Sequence, residues 1–191
     1  MRVVELTPGT WPSLEELFGP NGAQGGCWCT WFFQTNAEVR ANGSAGNKEL
    51  LRSRVRSGVP VGLVAIDDDD RPVGWVAVAP RPGYPRLARA QVAAPAAGDP
   101  PGDSTDVWSV TCFFIHRAAR RRGLGAVLLE HAVGYAREHG ARSVEGYPVD
   151  TGGAKKTSGD LYHGTLGMFT DAGFELVERR GANRALVRLA P

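Results

Sequence analysis

The stretch from Val107 to Gly140 constrains the fold of this 191-residue chain more than any other. Val107 to His116 reads Val-Trp-Ser-Val-Thr-Cys-Phe-Phe-Ile-His, an apolar run rich in β-branched and aromatic residues. Such a run suits a strand buried on both faces. A polar, glycine-containing turn follows at residues 117–123. Leu124, Val127, Leu128, Ala132, Tyr135 and Ala136 then recur at three- and four-residue spacing, which marks an amphipathic helix, and Gly140 stands where a C-cap belongs. A strand that feeds a helix through a tight turn implies layers, because the helix needs a sheet to cover.

The flanks supply that sheet. Arg2 to Leu6 reads as a short strand, and Trp11 to Phe18 as a helix between an N-cap at Thr10 and a stop at Gly19-Pro20. A glycine-rich loop over residues 19–26 leads into Cys27 to Phe33, where only Thr30 is polar. Asn47 to Arg56 has helical composition. Val61 to Ile66 and Val73 to Ala79 form a hairpin across the polar turn from Asp67 to Arg71. Pro80 to Asp103 is dominated by Pro, Gly and Ala and reads as one long loop, a lid or a partly mobile segment, with a short helical turn at Arg86 to Ala90. Arg142 to Val149 is a strand, residues 150–160 a loop, Tyr162 to Ala172 a helix, and Phe174 to Arg179 and Arg184 to Leu189 a closing strand pair. The expected fold is α/β, with a mixed, mostly antiparallel central sheet of six or seven strands flanked by helices. Residues 1–191 are expected to form a single domain, with the long loop at 80–105.

Composition narrows the function classes. Hydrophobic residues make up 42% of the chain and charged residues 22%, which supports a packed core rather than disorder. A formal charge of +2 is too small to make the whole surface a nucleic-acid or membrane binder. No run of 18 apolar residues exists to span a bilayer. Pro8 and Gly9 interrupt any secretory leader, and three cysteines make no disulfide framework, so the expected location is cytoplasmic. Cys27 and Cys29 lack the paired partners of a zinc site, and no metal is expected. Residues 152–157, Gly-Gly-Ala-Lys-Lys-Thr, fail as a nucleotide loop because no Gly directly precedes the Lys-Thr pair. Asp67 to Asp70 has the wrong spacing for calcium.

The chemistry-bearing segment is Arg120-Arg121-Arg122-Gly123-Leu124-Gly125-Ala126. A helix N-terminus offers unpaired backbone N–H groups and a partial positive charge, which suit an anion. Two glycines let a phosphate approach those amides, and the arginines add donors for further oxygens. The local physics predicts a pyrophosphate site, against the plainer reading of a solvated basic loop.

With that turn, the chain resembles the GCN5-related N-acetyltransferase (GNAT) superfamily. The superfamily's acetyl-CoA motif, Gln/Arg-x-x-Gly-x-Gly/Ala after a strand, is matched by Arg120, Gly123 and Gly125. The segment from Met168 to Phe174 resembles the family's aromatic-x-x-x-Gly-Phe ending. The resemblance implies that the amides around Arg121, Arg122, Gly123, Gly125 and Ala126 hold the pyrophosphate of acetyl-CoA. Phe114 and Ile115 fall where the family's fourth strand splays from the fifth, and would hold the pantetheine arm. The implied reaction transfers an acyl group, most simply acetyl, from acyl-CoA to a primary amine of a small molecule or peptide by direct attack, without a metal. Phe169 stands where many members carry a Tyr acid. Tyr162, His163 or Tyr147 can replace it, or solvent can protonate the thiolate. Glu145, Asp106 and His116 are candidate bases, and Tyr162 and Glu145 are the preferred catalytic pair. Trp28, Trp31 and Tyr147 are candidates for the acceptor-pocket wall, the plainer reading of the tryptophans being an apolar helix face. Two alternatives use the same fold: aminoacyl-tRNA as acyl donor, or acyl-CoA binding without catalysis. A homodimer is compatible with both.

Overall fold

The computed structural model describes residues 1–96, 99, 104–154, 156, 157 and 159–190. Positions 97, 98 and 100–103 of the long loop, and 155 and 158 of the loop at 150–160, lie outside the described residues. So do the sequence readings that fall on them, including the Asp103 end of the loop and Lys155.

The described strands are β1 (Arg2–Glu5), β2 (Leu63–Ile66), β3 (Pro72–Pro80), β4 (Val107–Ile115), β5 (Ser143–Gly146), β6 (Glu175–Arg180) and β7 (Arg184–Leu189). They form one seven-stranded sheet in the order β1-β2-β3-β4-β5-β7-β6, antiparallel except between β4 and β5. Helices α1 (Trp11–Phe18) and α2 (Asn36–Arg56) cover one face, and α3 (Leu124–Glu138) and α4 (Leu166–Asp171) the other. Alternation along the strands explains the division. Leu63, Ala65, Val76 and Val78 face α3, while Val64, Ile66, Trp75 and Ala77 face α1 and α2. Helices on both faces are why β2, β3 and β4 read as continuous apolar runs.

Three expectations are corrected. Helix α2 begins at Asn36 rather than Asn47, with a kink at Gly43. Thr35 and Glu38 form a capping box there, which supports a first turn with little apolar surface. The second correction is α4, which begins at Leu166, so Tyr162 lies in a turn rather than on a helix. Finally, the described part of the long loop is packed. Tyr84, Leu87 and Ala93 join Phe32, Tyr147 and Leu186 in a third core cluster, and Arg180 donates to the Ala94 carbonyl.

A buried ionic cluster fastens this loop to the sheet. Glu145 on β5 has no exposed surface and meets Arg81 Nη1 at 3.3 Å and Arg188 Nη2 at 2.7 Å. Arg188 also reaches Asp99 Oδ2 at 2.6 Å, which holds the Asp99 carboxyl below its ordinary range. Two cations and two anions balance. Replacing Glu145 with Ala leaves Arg81 and Arg188 facing a buried void, which costs about 3–5 kcal/mol. Urea denaturation of Glu145→Ala measures this; a loss below about 1 kcal/mol would show that the cluster does not hold the loop.

Candidate active site

The site is built where β4 and β5 part. Parallel pairing runs only from Val107↔Ser143 to Val110↔Gly146, after which β5 ends, whereas β4 continues alongside β3 to Ile115. One edge of residues 111–115 therefore has no strand partner. The turn at 161–164 takes part of it: the Phe113 N–H donates to the Tyr162 carbonyl at 2.6 Å, and His163 Nδ1 donates to the Thr111 carbonyl at 2.8 Å. Further along, Arg120 Nε donates to the Ile115 carbonyl at 3.0 Å.

Beyond β4 the chain makes a single 3₁₀ turn, Arg117–Ala119, and enters α3 through Gly123. Gly123 has φ +78°, the left-handed region that costs a residue with a Cβ about 1–2 kcal/mol. No side chain caps α3 and no acidic residue sits in its first turn. The Ala126 amide already bonds the Gly123 carbonyl at 3.0 Å, which leaves Leu124 and Gly125 as the helix-end donors. A Cβ at Gly125 would lie 3.0 Å from Met168 Sδ, a tight contact that the Met168 side chain would have to yield to. Fifteen residues of helix dipole thus end in a basic, uncapped turn.

In front of this edge lies a groove of about 920 Å³. Phe114 and Ile115 form its floor, Trp31 and Tyr162 stand at its sides, and Arg117, Arg120, Arg121 and Lys156 supply its charge. No carboxylate lines it among the described residues. A second cavity of about 650 Å³ shares Trp31, Phe32 and Tyr162 with the groove and carries Arg86, Arg89 and Arg184 against one acid, Glu38. Arg86 lies over the Trp31 ring at 4.0 Å. A larger recess, about 1130 Å³, runs along the far side of α3, away from the β4 edge.

The candidate residues divide accordingly. Phe114, Ile115, Arg120, Arg121, Trp31 and Tyr162 meet at the groove. Gly123 and Gly125 follow the groove-lining Arg120 and Arg121 in the chain but do not themselves line the groove, Arg122 is exposed outside the lining, and Ala126 faces the outer recess. Three candidates belong elsewhere. Trp28 is 4% exposed, stacks on Trp11 and meets Phe18 edge-on in the core. Tyr147 is 2% exposed, bonded to Ser109 and Glu145, and burial drives its hydroxyl pKa up. Glu145 is committed to the ionic cluster beneath it. All three side chains are buried and line neither the groove nor the second cavity. Phe169 is fully buried against Gly146, where a Cβ would meet its ring at 2.2 Å. Lys156, in the loop that the sequence places at the rim of the acceptor side, lines the groove, whereas sequence reasoning missed Arg184, which reaches the second cavity from the chain's last third and carries no local motif.

A sequence model of the acetyltransferase (GNAT) family matches residues 29–152. No curated protein matches the chain in sequence. Among solved structures, a GCN5-related N-acetyltransferase from Kribbella flavida is similar over 100% of this chain and 97% of its own, with 18% identity and a TM-score of 0.57. The GNAT family N-acetyltransferase YhbS from Escherichia coli, solved in complex with CoA, matches over 99% of this chain and 80% of its own, at 17% identity and TM-score 0.53. PaiA N-acetyltransferase from Thermoplasma acidophilum, in complex with coenzyme A, matches over 100% and 98%, at 12% identity and TM-score 0.52. These likenesses show the fold.

The His163 ring gives a pH signature. Burial and the nearby Arg184 charge depress its pKa from 6.5 to about 3, so the imidazole stays neutral in the folded chain. The unfolded chain takes up the proton first. Stability from the neutral ring is therefore intact above pH 6.5 and falls as pH drops toward 3, by up to about 1.4 kcal/mol per pH unit. Urea midpoints between pH 6.5 and 5 should fall more steeply for the native chain than for His163→Gln; equal slopes would contradict the assignment.

Proposed function

The chain belongs to the GNAT acetyltransferase family, and from that premise we propose that it transfers an acetyl group from acetyl-CoA to a primary amine bound beside the groove. The observation that carries the reading is the uncapped, arginine-flanked start of α3 at the end of a strand edge left open by β5. The amides of Leu124 and Gly125, with Arg120 and Arg121, suit the pyrophosphate of CoA. Phe114 and Ile115 give its pantetheine arm an apolar bed. Because Tyr162 and Arg120 already engage Phe113 and Ile115, a donor entering along β4 competes with or displaces these contacts.

The second cavity supports an acceptor site reached past Trp31 and Tyr162. Its surplus of arginines favours an amine that also carries a carboxylate or another anionic group. Acetyl-CoA supplies the activated carbonyl. With no carboxylate lining the groove among the described residues, the amine gives up its proton to water and attacks as the free base. Tyr162 lines both cavities, which supports its hydroxyl as the group that donates a proton to the departing thiolate.

Acetyl-CoA should raise the melting temperature by an amount that grows with its concentration. Arg121→Glu, a change at an exposed position, should strongly reduce that rise while leaving the unliganded melting temperature unchanged; a rise that persists in full would refute the site. A panel of amines read by free-thiol release tests the activity. Carboxylate-bearing amines should lead, and Tyr162→Phe should lower kcat by about 10²-fold. No thiol release with any amine, alongside intact acetyl-CoA stabilisation, would indicate a binder without catalysis.

A further inference from the structure

All three cysteines of the chain converge on this groove. Cys27 and Cys29 lie in its wall and Cys112 lies on β4 in its floor. Cys29 Sγ and Cys112 Sγ stand 3.4 Å apart, although 83 residues separate them in sequence. A left-handed backbone at Trp28 and Cys29 makes the meeting, sending the Trp28 indole into the core and the Cys29 thiol toward β4. Among the described residues, no group of three or more His, Cys, Asp or Glu is arranged to hold a metal ion.

The three sulfurs are not equivalent. Cys29 is buried, and contacts with its two neighbours and desolvation raise its thiol above the ordinary range. Cys27 is half-buried, and a hydrogen bond from Cys29 lowers its pKa to about 6, so it is largely thiolate at neutral pH. Arg117, Arg120, Arg121 and Lys156 line the same groove.

We propose that Cys27, Cys29 and Cys112 form a peroxide-reactive thiol relay whose oxidised end state is a Cys29–Cys112 disulfide joining the wall of the groove to its floor. The Cys27 thiolate attacks a peroxide oxygen, the O–O bond breaks, hydroxide leaves, and Cys27 becomes a sulfenic acid. The Cys29 thiol attacks that sulfur; an S–S bond forms, the S–O bond breaks, and the thiol proton and hydroxyl leave as water. Cys112 gives its proton to solvent, attacks the Cys29 sulfur and expels the Cys27 thiolate, the better leaving group. Two thiols and one peroxide become one disulfide and two waters, and Cys27 is regenerated.

The test treats the full-length chain with a small excess of hydrogen peroxide, blocks remaining thiols with iodoacetamide, and maps peptides by mass spectrometry. The expected product has lost about 2 Da, joins the Cys29 and Cys112 peptides, keeps one alkylated thiol at Cys27, and reverts with dithiothreitol. Cys27→Ser should slow crosslinking about tenfold or more at equal peroxide, whereas Cys112→Ser should stop at a Cys27–Cys29 link or a Cys27 sulfenic acid. Three alkylatable thiols after treatment, over-oxidation without a crosslink, or a stable Cys27–Cys29 pair in the native chain would overturn the proposal. An unchanged rate in Cys27→Ser would overturn the relay.

Discussion

The parting of β4 from β5 after Val110 organises the molecule around it. Four parallel pairs hold the two strands together, and then β5 stops while β4 runs on for five residues along β3. An open strand edge in the middle of a sheet leaves backbone groups that need partners. The chain covers some with the turn carrying Tyr162 and His163 and turns the rest toward a groove. The same extension of β4 leads into the turn whose Arg117, Arg120 and Arg121 line that groove, just before α3 begins. Strand edge, helix end and arginine turn are thus consequences of one short strand pairing.

Charge is distributed with equal economy. The deep ionic cluster of Arg81, Glu145, Arg188 and Asp99 is balanced internally and holds a loop onto the sheet. The groove, by contrast, carries cations without carboxylates among the described residues, and the neighbouring cavity carries three arginines against one acid. Buried charge that is paired internally serves the structure, whereas a surplus of cations lining a cavity favours an anionic ligand. That contrast separates Glu145, a candidate base by sequence position, from Arg121, a candidate anion donor by the same kind of reasoning.

Much of this was legible in the chain itself. The run from Val107 to Ile115, the amphipathic spacing from Leu124 and the hairpin around Asp67 each follow from periodicity and turn chemistry, and all three stand in the structure. The basic turn could be singled out in sequence as a candidate anion site because its chemistry is local. The start of α2 was not, since its first turns bury little; only the Thr35 and Glu38 pair signalled it. Tyr147 and Glu145 looked like groove residues because a strand pattern does not tell which neighbours will cover it. Their partners, Arg81, Ser109 and Arg188, come from three other segments. The meeting of Cys29 with Cys112 was hidden for the same reason: no spacing rule links positions so far apart.

The central claim is that the amides at the start of α3 receive the phosphates of a CoA thioester. Amide hydrogen exchange with and without CoA tests it most directly. The account predicts slowed exchange at residues 121–126 and along 113–115, with the outer face of α3 around Glu130 and Arg137 unaffected. Unchanged exchange at 121–126, or protection confined to that outer face, would contradict it.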